Sequence, residues 1–311
     1  MLLNYIRQLI RIPQNLQQIR DGIANQSDLL NRKLNALIEL LAARQAAPRA
    51  GKTASPQDRA AFFNHVIAET LRQDHAAIFW GDRLLTLDKS ASFLDRPDFA
   101  AAFARIRGSH TYDQYNGEGG IAWRLHTLVW AAEQAIKVPG DFVECGVFKG
   151  DMSWVIVTLL GDRLADRAFH LFDSFEGLSP TLAKPQDYPD NPGFIEMANS
   201  VYSEPGLSER VRKRFSLMPN VRVVQGFLPD ALIGRTPQQI AFLHIDLNSP
   251  RAEVACLEHL FDRVSAGGTI VLDDYGWRAF RAQKEAEDAF FAARGYSVLE
   301  LPTGQGLVLK R

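Results

Sequence analysis

The feature that most constrains the fold is a series of five short apolar segments separated by helical stretches. Such runs are typical of parallel strands that helices cover on both faces. Tyr296–Leu301 and Leu307–Lys310 flank a glycine-containing turn, which predicts a closing antiparallel hairpin. We therefore predict an α/β fold with a Rossmann-like sheet of seven strands. The five parallel segments are Asp141–Val147, Ala168–Phe172, Val221–Gln225, Ile240–Ile245 and Thr269–Leu272.

The region before the sheet predicts a helical extension. Leu16, Ile23, Leu30 and Leu37 are spaced seven apart, which favours a coiled-coil arm over residues 1–45 that makes the chain a homo-oligomer. A helix at residues 1–12 that lies on a membrane surface, and an arm packed on its own domain, are the alternatives. The small, polar residues 46–56 predict a linker.

Residues 57–120 predict a mostly helical subdomain ahead of a domain spanning residues 121–311. Helices are expected at residues 57–72, 96–107 and 121–136, with a hairpin over residues 76–87 that turns at Gly81-Asp82. Residues 109–120 are polar, aromatic and glycine-rich, which suggests a loop that closes over a site. Residues 179–205 contain five prolines and little periodicity, so we expect a long loop on the substrate side.

Composition excludes several classes of protein. The formal net charge of -1 argues against a nucleic-acid partner. Two cysteines provide no disulfide framework and fit a reducing compartment. The sequence lacks an apolar run of the ~20 residues that a membrane-spanning helix needs. We expect a cytoplasmic protein.

The first parallel segment ends in a glycine loop that predicts a cofactor site. Gly146 permits a sharp turn, and Gly150 lets the next helix begin close by, where its free amides can hold a carboxylate. The G-x-x-x-G spacing differs from the G-x-G-x-x-G of dinucleotide-binding proteins. Asp173 is expected to accept the ribose hydroxyls of an adenosine moiety. The full set of candidate cofactor residues is Glu144, Cys145, Gly146, Gly150, Asp173, Ser174, Gly226, Phe227 and Asp246.

Three carboxylates follow the fourth and fifth segments. Asp246 ends one segment, and Asp273 and Asp274 end its expected neighbour, so all three would meet at one edge of the sheet. Clustered like charges are costly unless a cation neutralises them, and carboxylates suit magnesium. We predict that these residues bind the metal and that Asp246 is also the catalytic base. The alternative is that Asp273 caps a helix and Asp274 is solvated.

Other side chains are candidates for contact with the acceptor substrate. Tyr112 and Tyr115 lie in the glycine-rich loop, whereas Arg124, Tyr275 and Gln305 lie near expected strand ends or helix starts. His244 precedes Asp246 by two residues and is expected to be a core histidine rather than a ligand.

Four stretches carry a resemblance to a known family. GDFVECGVFKG, LFDSFEG, LHIDLN and GGTIVLDDYG are similar to the macrocin and mycinamicin O-methyltransferases (the TylF-like family), from about Ile121 to the C-terminus. The resemblance implies a class I methyltransferase sheet, S-adenosylmethionine, and a magnesium ion on Asp246, Asp273 and Asp274. It implies a sugar-type hydroxyl as the acceptor, and Glu144, Gly146 and Asp173 as cofactor contacts.

This chain departs from the family at the fourth segment. Members of the family carry two acidic residues there, followed by an aromatic, whereas this chain has Asp246 alone with Asn248 and Pro250 after it. Two other functions stay open: a methyltransferase for a catechol-like acceptor, and a non-catalytic scaffold that binds cofactor and acts through its N-terminal coil.

Overall fold

The computed structural model describes residues 71–72, 75–107 and 119–311. The chain comprises two compact units, residues 1–78 and residues 79–311, and the second carries every element discussed below apart from the first residue of strand β1. The predicted coiled-coil arm, the linker and all but the last two residues of the first helix lie outside the described residues, as do Tyr112 and Tyr115 with most of their loop.

A seven-stranded sheet forms the centre of the second unit. Strands β3 to β7 are mutually parallel, and β9 and β8 complete one edge in antiparallel orientation, in the order β5-β4-β3-β6-β7-β9-β8. The predicted α/β sheet with a C-terminal antiparallel hairpin is confirmed. The strands are β3 (Asp141–Cys145), β4 (Phe169–Asp173), β5 (Val221–Gln225), β6 (Ile240–Ile245), β7 (Val264–Leu272), β8 (Leu299–Glu300) and β9 (Gly306–Leu309).

Strand register brings the ends of the central strands to one edge. Cys145 pairs with Phe172 of β4 on one side and with Ile245 of β6 on the other. Ile245 in turn pairs with Leu272 of β7. Residues that directly follow these positions therefore lie side by side at the carboxyl edge, where parallel α/β sheets bind ligands.

Helices cover both faces of the sheet because strand side chains alternate between two apolar layers. Phe142 packs into the layer that contains α1 to α3, whereas Val143 packs into the layer that contains α6 and α7. None of the described helices combines the length and apolar character required to cross a membrane. The helices are α1 (Pro97–Ile106), α2 (Ala122–Ala135), α3 (Asp151–Leu160), α4 (Phe194–Tyr202), α5 (Leu207–Arg214), α6 (Pro250–Leu260) and α7 (Arg281–Ala292).

A short hairpin precedes the sheet. Strands β1 (Ile78–Gly81) and β2 (Leu84–Leu87) pair, as the sequence predicts, but the turn lies one residue later than expected, at Asp82-Arg83. Both turn residues have positive φ, 49° and 59°. This geometry is typical of two-residue hairpin turns and is usually supplied by glycine or asparagine.

The proline-rich segment 179–205 is not a structureless loop. It contains helix α4 and a short 3-10 helix over Pro185–Asp187. Phe194 and Ala198, four residues apart, are buried together with Tyr188, and this small apolar cluster stabilises the helix. The sequence prediction was wrong here because every proline of the segment lies outside α4, where none can disrupt it.

Candidate active site

A cavity opens at the carboxyl edge of β3, β4 and β6. Gly146 and Val147 follow β3, Ser174 follows β4, and Asp246 with the three residues after it follows β6. Phe227, which follows β5, Leu178, and Ser179 and Tyr202 of the proline-rich segment also line the wall. The cavity therefore lies where the sequence predicts a cofactor.

Gly146 is required by the close approach of two strand ends. Its φ is +90°, and a Cβ atom built there would lie 1.8 Å from the carbonyl oxygen of Asp246. The backbone of Gly146 also donates a hydrogen bond to Phe172 O at 2.9 Å, and Asp246 N donates to Cys145 O at 2.8 Å. Three strand ends are thus held together around a residue that has no side chain.

Asp173 organises the loop that lines the cavity. Its Oδ2 accepts hydrogen bonds from the amides of Val147 (2.6 Å) and Phe148 (2.8 Å), and its Oδ1 accepts one from Phe175 N at 2.6 Å. Burial raises the pKa of this carboxyl, while the three amide donors act in the opposite direction. A carboxylate has about four acceptor positions, so one is left for a ligand.

The predicted cofactor residues divide into two groups. Gly146, Asp173, Ser174, Phe227 and Asp246 line the cavity. Glu144 does not line it, since its carboxylate lies against His244 with Oε1 2.9 Å from Nδ1. Cys145 is fully buried, and Gly150 (φ +74°) and Gly226 (φ +151°) shape the backbone behind the wall.

The three predicted metal ligands come together beside the cavity. Oxygen atoms of Asp246, Asp273 and Asp274 all lie within 4.8 Å of one another. Asn248 Nδ2 donates to Asp246 Oδ1 at 2.9 Å, and Gln305 Nε2 donates to Asp273 Oδ1 at 3.0 Å. Asp246 is the member of this cluster that also lines the cavity.

Two basic side chains lie against these carboxylates. Arg124 Nη1 is 2.5 Å from Asp273 Oδ2 and 3.1 Å from Asp274 Oδ1. His244 is fully buried, with Nε2 3.6 Å from Asp273 Oδ1. Burial alone would lower the pKa of His244, but the carboxylates of Asp273 and Glu144 raise it to about 10. His244 is therefore a core residue that supports the site through Glu144 and Asp273.

Carboxyl groups outnumber basic side chains in and around the cluster. Including Glu144 and Asp82, five carboxyl groups face two basic side chains, Arg124 and His244, among the described residues. Burial and the charges of Asp273 and Asp274 raise the pKa of Asp246 well above its ordinary value. Burial likewise raises the pKa of Asp274, to about 6. Three carboxylates with oxygen atoms this close together are the kind of ligands that a divalent metal prefers, so the residues fit such an ion.

Three predicted substrate contacts have other partners in the structure. Arg124 is buried against the carboxylates described above. Gln305 is fully buried and supports Asp273. Tyr275 is 2% exposed, and its hydroxyl donates to Asp288 on α7. A polar side chain near a strand end can thus be held by other protein groups instead of facing the acceptor.

Comparison with known families agrees with this geometry. The family model described as macrocin-O-methyltransferase (TylF) matches residues 120–297, more than half of the chain. The chain belongs to the TylF family.

Three curated proteins are similar to this TylF-family chain. The 8-demethyl-8-(2,3-dimethoxy-alpha-L-rhamnosyl)-tetracenomycin-C 4'-O-methyltransferase of Streptomyces olivaceus is 32% identical over 167 residues, 51% of this chain and 62% of that protein. The mycinamicin III 3''-O-methyltransferase of Micromonospora griseorubida is 31% identical over 163 residues, covering 49% and 62%. The demethyldecarbamoylnovobiocin O-methyltransferase of Streptomyces niveus is 30% identical over 159 residues, covering 49% and 60%. The chain thus spans about 60% of the length of these relatives.

Solved structures share the fold of the TylF-family chain. The O-methyltransferase NovP superposes with a TM-score of 0.51 at 24% identity, covering 66% of this chain and 87% of that one. The calicheamicin methyltransferase CalS11 gives 0.50 at 17% identity, covering 70% and 88%. The seven-stranded sheet is therefore that of the class I methyltransferases.

A buried pair of glutamates supports the loop after β6 and was not predicted from the sequence. Glu253 on α6 accepts hydrogen bonds from Leu247 N and Asn248 N, both at 3.0 Å. Asn248 has a φ of +55°, so these bonds hold a strained backbone. Glu287 on α7 is fully buried, and neither of its oxygens has a hydrogen-bond donor. Burial raises the pKa of both Glu253 and Glu287, so both carboxyl groups favour the neutral form.

Glu287→Gln is expected to stabilise the protein at alkaline pH. Burial raises the pKa of Glu287 from 4.5 to about 7, with the charges of Asp288 and Asp274 acting in the same direction. A raised carboxyl pKa gives stability that is complete below pH 4.5 and is lost as pH rises through about 7. Glutamine cannot ionise, so the gain in unfolding free energy should approach about 3 kcal/mol at pH 8 and vanish near pH 4.5.

Chemical denaturation at pH 5 and pH 8 measures this difference. Glu285→Gln, at an exposed position of the same helix, is the matched control and should shift neither value. A Glu287→Gln protein that is less stable than the wild type at pH 8 would contradict the raised pKa of Glu287.

Proposed function

We propose that the chain is a magnesium-dependent O-methyltransferase that moves the methyl group of S-adenosylmethionine to a hydroxyl of a sugar or a glycosylated metabolite. The observation that carries the proposal is that Asp246 belongs both to the cavity and to the three-carboxylate cluster. The names of two relatives, a rhamnosyl-tetracenomycin-C 4'-O-methyltransferase and a mycinamicin III 3''-O-methyltransferase, support the choice of acceptor.

The cavity residues have separate roles in holding the cofactor. The remaining acceptor position of Asp173 suits a ribose hydroxyl, and Phe227 and Leu228 provide an apolar surface for an adenine ring. Gly146 gives the cofactor access to the backbone of the β3 loop, with Glu144, Cys145, Gly150 and Gly226 behind it. When bound, S-adenosylmethionine supplies a methyl group that its positively charged sulfur activates.

The carboxylate cluster has the roles of metal binding and proton acceptance. Asp246, Asp273 and Asp274 would hold magnesium, which supplies Lewis acidity that makes an aliphatic hydroxyl easier to deprotonate. Asp246 then accepts the proton of the acceptor hydroxyl, because it is the cluster member on the cavity wall. The carboxylates of Asp246 and Asp273 are held in fixed directions by Asn248, His244 and Gln305. This rigidity would keep the acceptor hydroxyl aligned with the methyl group.

Two further parts of the proposal concern residues outside the described ranges. Tyr112 and Tyr115 contact the acceptor from the glycine-rich loop, and residues 1–45 associate with a second copy of the chain. The composition of the loop and the seven-residue spacing of apolar side chains support these assignments.

Product analysis tests the proposed function directly. Protein, methyl-labelled S-adenosylmethionine and magnesium are incubated with rhamnosylated and other glycosylated acceptors, and with a catechol as comparison. We expect O-methylation of a sugar hydroxyl, and an at least ~100-fold loss of rate after chelation with EDTA that magnesium reverses. Methylation of the catechol alone, a rate unaffected by chelation, or cofactor binding without any transfer would each contradict the proposal.

A further inference from the structure

Arg124 lies at the position where the carboxylate cluster needs positive charge. It is the third residue of α2 and is buried, with Nη1 in contact with both Asp273 Oδ2 and Asp274 Oδ1. Two of the three proposed metal ligands therefore already contact one guanidinium. An arginine side chain stays protonated in proteins, so the charge of Arg124 is permanent.

The other side of the same guanidinium is held by the β1–β2 hairpin. Asp82 Oδ2 accepts hydrogen bonds from Arg124 Nε at 3.0 Å and lies 2.9 Å from Nη2. Asp82 reaches this position from the tight turn with two positive φ values. The two edges of Arg124 thus have different partners, Asp82 on one and the cluster on the other.

A divalent cation and Arg124 would compete for the same two carboxylates, Asp273 and Asp274. The guanidinium donates to Asp273 Oδ2 and Asp274 Oδ1, and like charges in close proximity repel. Binding of a metal would therefore weaken these two contacts, and Arg124 would have to rely more on another partner. Asp82 lets it do so without becoming an unpaired buried charge, since the contact through Nε and Nη2 is retained.

We propose that Arg124 is a built-in counter-ion of the carboxylate cluster, and that Asp82 acts as its anchor. Arg124 holds Asp273 and Asp274 together before metal binding and lowers the affinity of the cluster for a divalent cation. The hairpin, which lies outside the part of the chain matched by the family model, thereby sets the metal affinity of the site. This inference rests on the proposed metal site.

Manganese titration of the full chain, without cofactor or acceptor, tests the counter-ion. Mn²⁺ binding is followed by electron paramagnetic resonance for the wild type, Arg124→Gln and Arg83→Gln. We expect Arg124→Gln to bind Mn²⁺ at least about tenfold more tightly, because the competing charge is removed. Arg83→Gln is the matched control. Arg83 is exposed, and its guanidinium lies over the ring of Trp277, as that of Arg124 does. Among the described ion pairs, however, Arg83 has none with the carboxylate cluster. Its replacement should therefore change the affinity for Mn²⁺ by less than about twofold.

A second variant tests the anchor and does not depend on removing the buried arginine. Asp82→Asn leaves Arg124 with the cluster alone, so Mn²⁺ affinity should fall by about threefold or more. In an Arg124→Gln background the same change should have a smaller effect on Mn²⁺ affinity, since Asp82 then has no guanidinium at residue 124 to bind. Thermal unfolding of each variant confirms that the protein is folded.

The possible outcomes separate this inference from the proposed function. If neither the wild type nor Arg124→Gln binds Mn²⁺, the metal site itself is contradicted. If the wild type binds Mn²⁺ and folded Arg124→Gln binds it equally or more weakly, the counter-ion role is overturned while the metal site stands. An Asp82→Asn effect of equal size in both backgrounds overturns the role of Asp82 as anchor.

Discussion

Asp246→Asn is expected to lower the rate of methyl transfer by at least about 1,000-fold, since it removes a metal ligand and the proton acceptor together. The substitution keeps the size of the side chain, and the new amide can still accept the hydrogen bond from Asn248 Nδ2 through its oxygen. The cavity should therefore retain its shape. We expect affinity for S-adenosylhomocysteine, measured by calorimetry, to change by less than about fivefold.

Asp262→Asn is the control for this experiment, because it makes the same chemical change at an exposed position outside the cavity wall. Its turnover should equal that of the wild type. Undiminished turnover of Asp246→Asn would contradict both roles assigned to Asp246. Loss of S-adenosylhomocysteine binding in parallel with turnover would instead place Asp246 in cofactor binding alone.

Gly146→Ala is expected to abolish cofactor binding and to lower the free energy of unfolding by more than about 3 kcal/mol. The added Cβ would lie 1.8 Å from the carbonyl oxygen of Asp246, and the residue has a φ of +90°. The Cβ atom is bonded directly to the backbone, and the carbonyl oxygen is part of it. Rotation of a side chain therefore cannot relieve the contact. The ends of β3 and β6 would have to separate, and with them the cavity wall.

Gly234→Ala separates backbone strain from steric overlap. Gly234 also has a positive φ, +71°, but an added Cβ would have no atom within 4 Å. Its cost should be about 1 kcal/mol, and cofactor binding should be unchanged. Equal stability losses in the two variants, or normal S-adenosylhomocysteine binding by Gly146→Ala, would show that close approach of the strand ends is not required.

The sheet could be predicted because local patterns determine it. Val221–Gln225 and Ile240–Ile245 have the predicted bounds, since each is an apolar run between clear breaks. Strand β7 begins five residues earlier than predicted, at Val264, because Gly267 and Gly268 suggest a turn. In the structure Gly268 instead permits close packing, as its Cβ would lie 2.9 Å from Ala241 O. A glycine that breaks a pattern and a glycine that fits a tight contact look alike in sequence.

The site could be predicted only in part. Asp246, Asp273 and Asp274 could be brought together because parallel strands end at a common edge. Arg124 and Asp82 could not, because their pairing depends on how a hairpin and a helix pack 42 residues apart in the chain. The Glu253–Glu287 pair likewise joins two helices whose facing sides carry no recognisable motif. Side-chain pairs between distant elements are set by tertiary packing, which a local pattern does not encode.

The most direct test of the central claim is a crystal structure of the chain grown with S-adenosylhomocysteine and Mn²⁺, with data collected at a wavelength where manganese scatters anomalously. We expect one anomalous peak bounded by Asp246, Asp273 and Asp274, and the nucleoside in the cavity bounded by Gly146, Asp173 and Phe227. S-adenosylhomocysteine in that cavity with manganese absent from the three aspartates would contradict the proposed cation-dependent site.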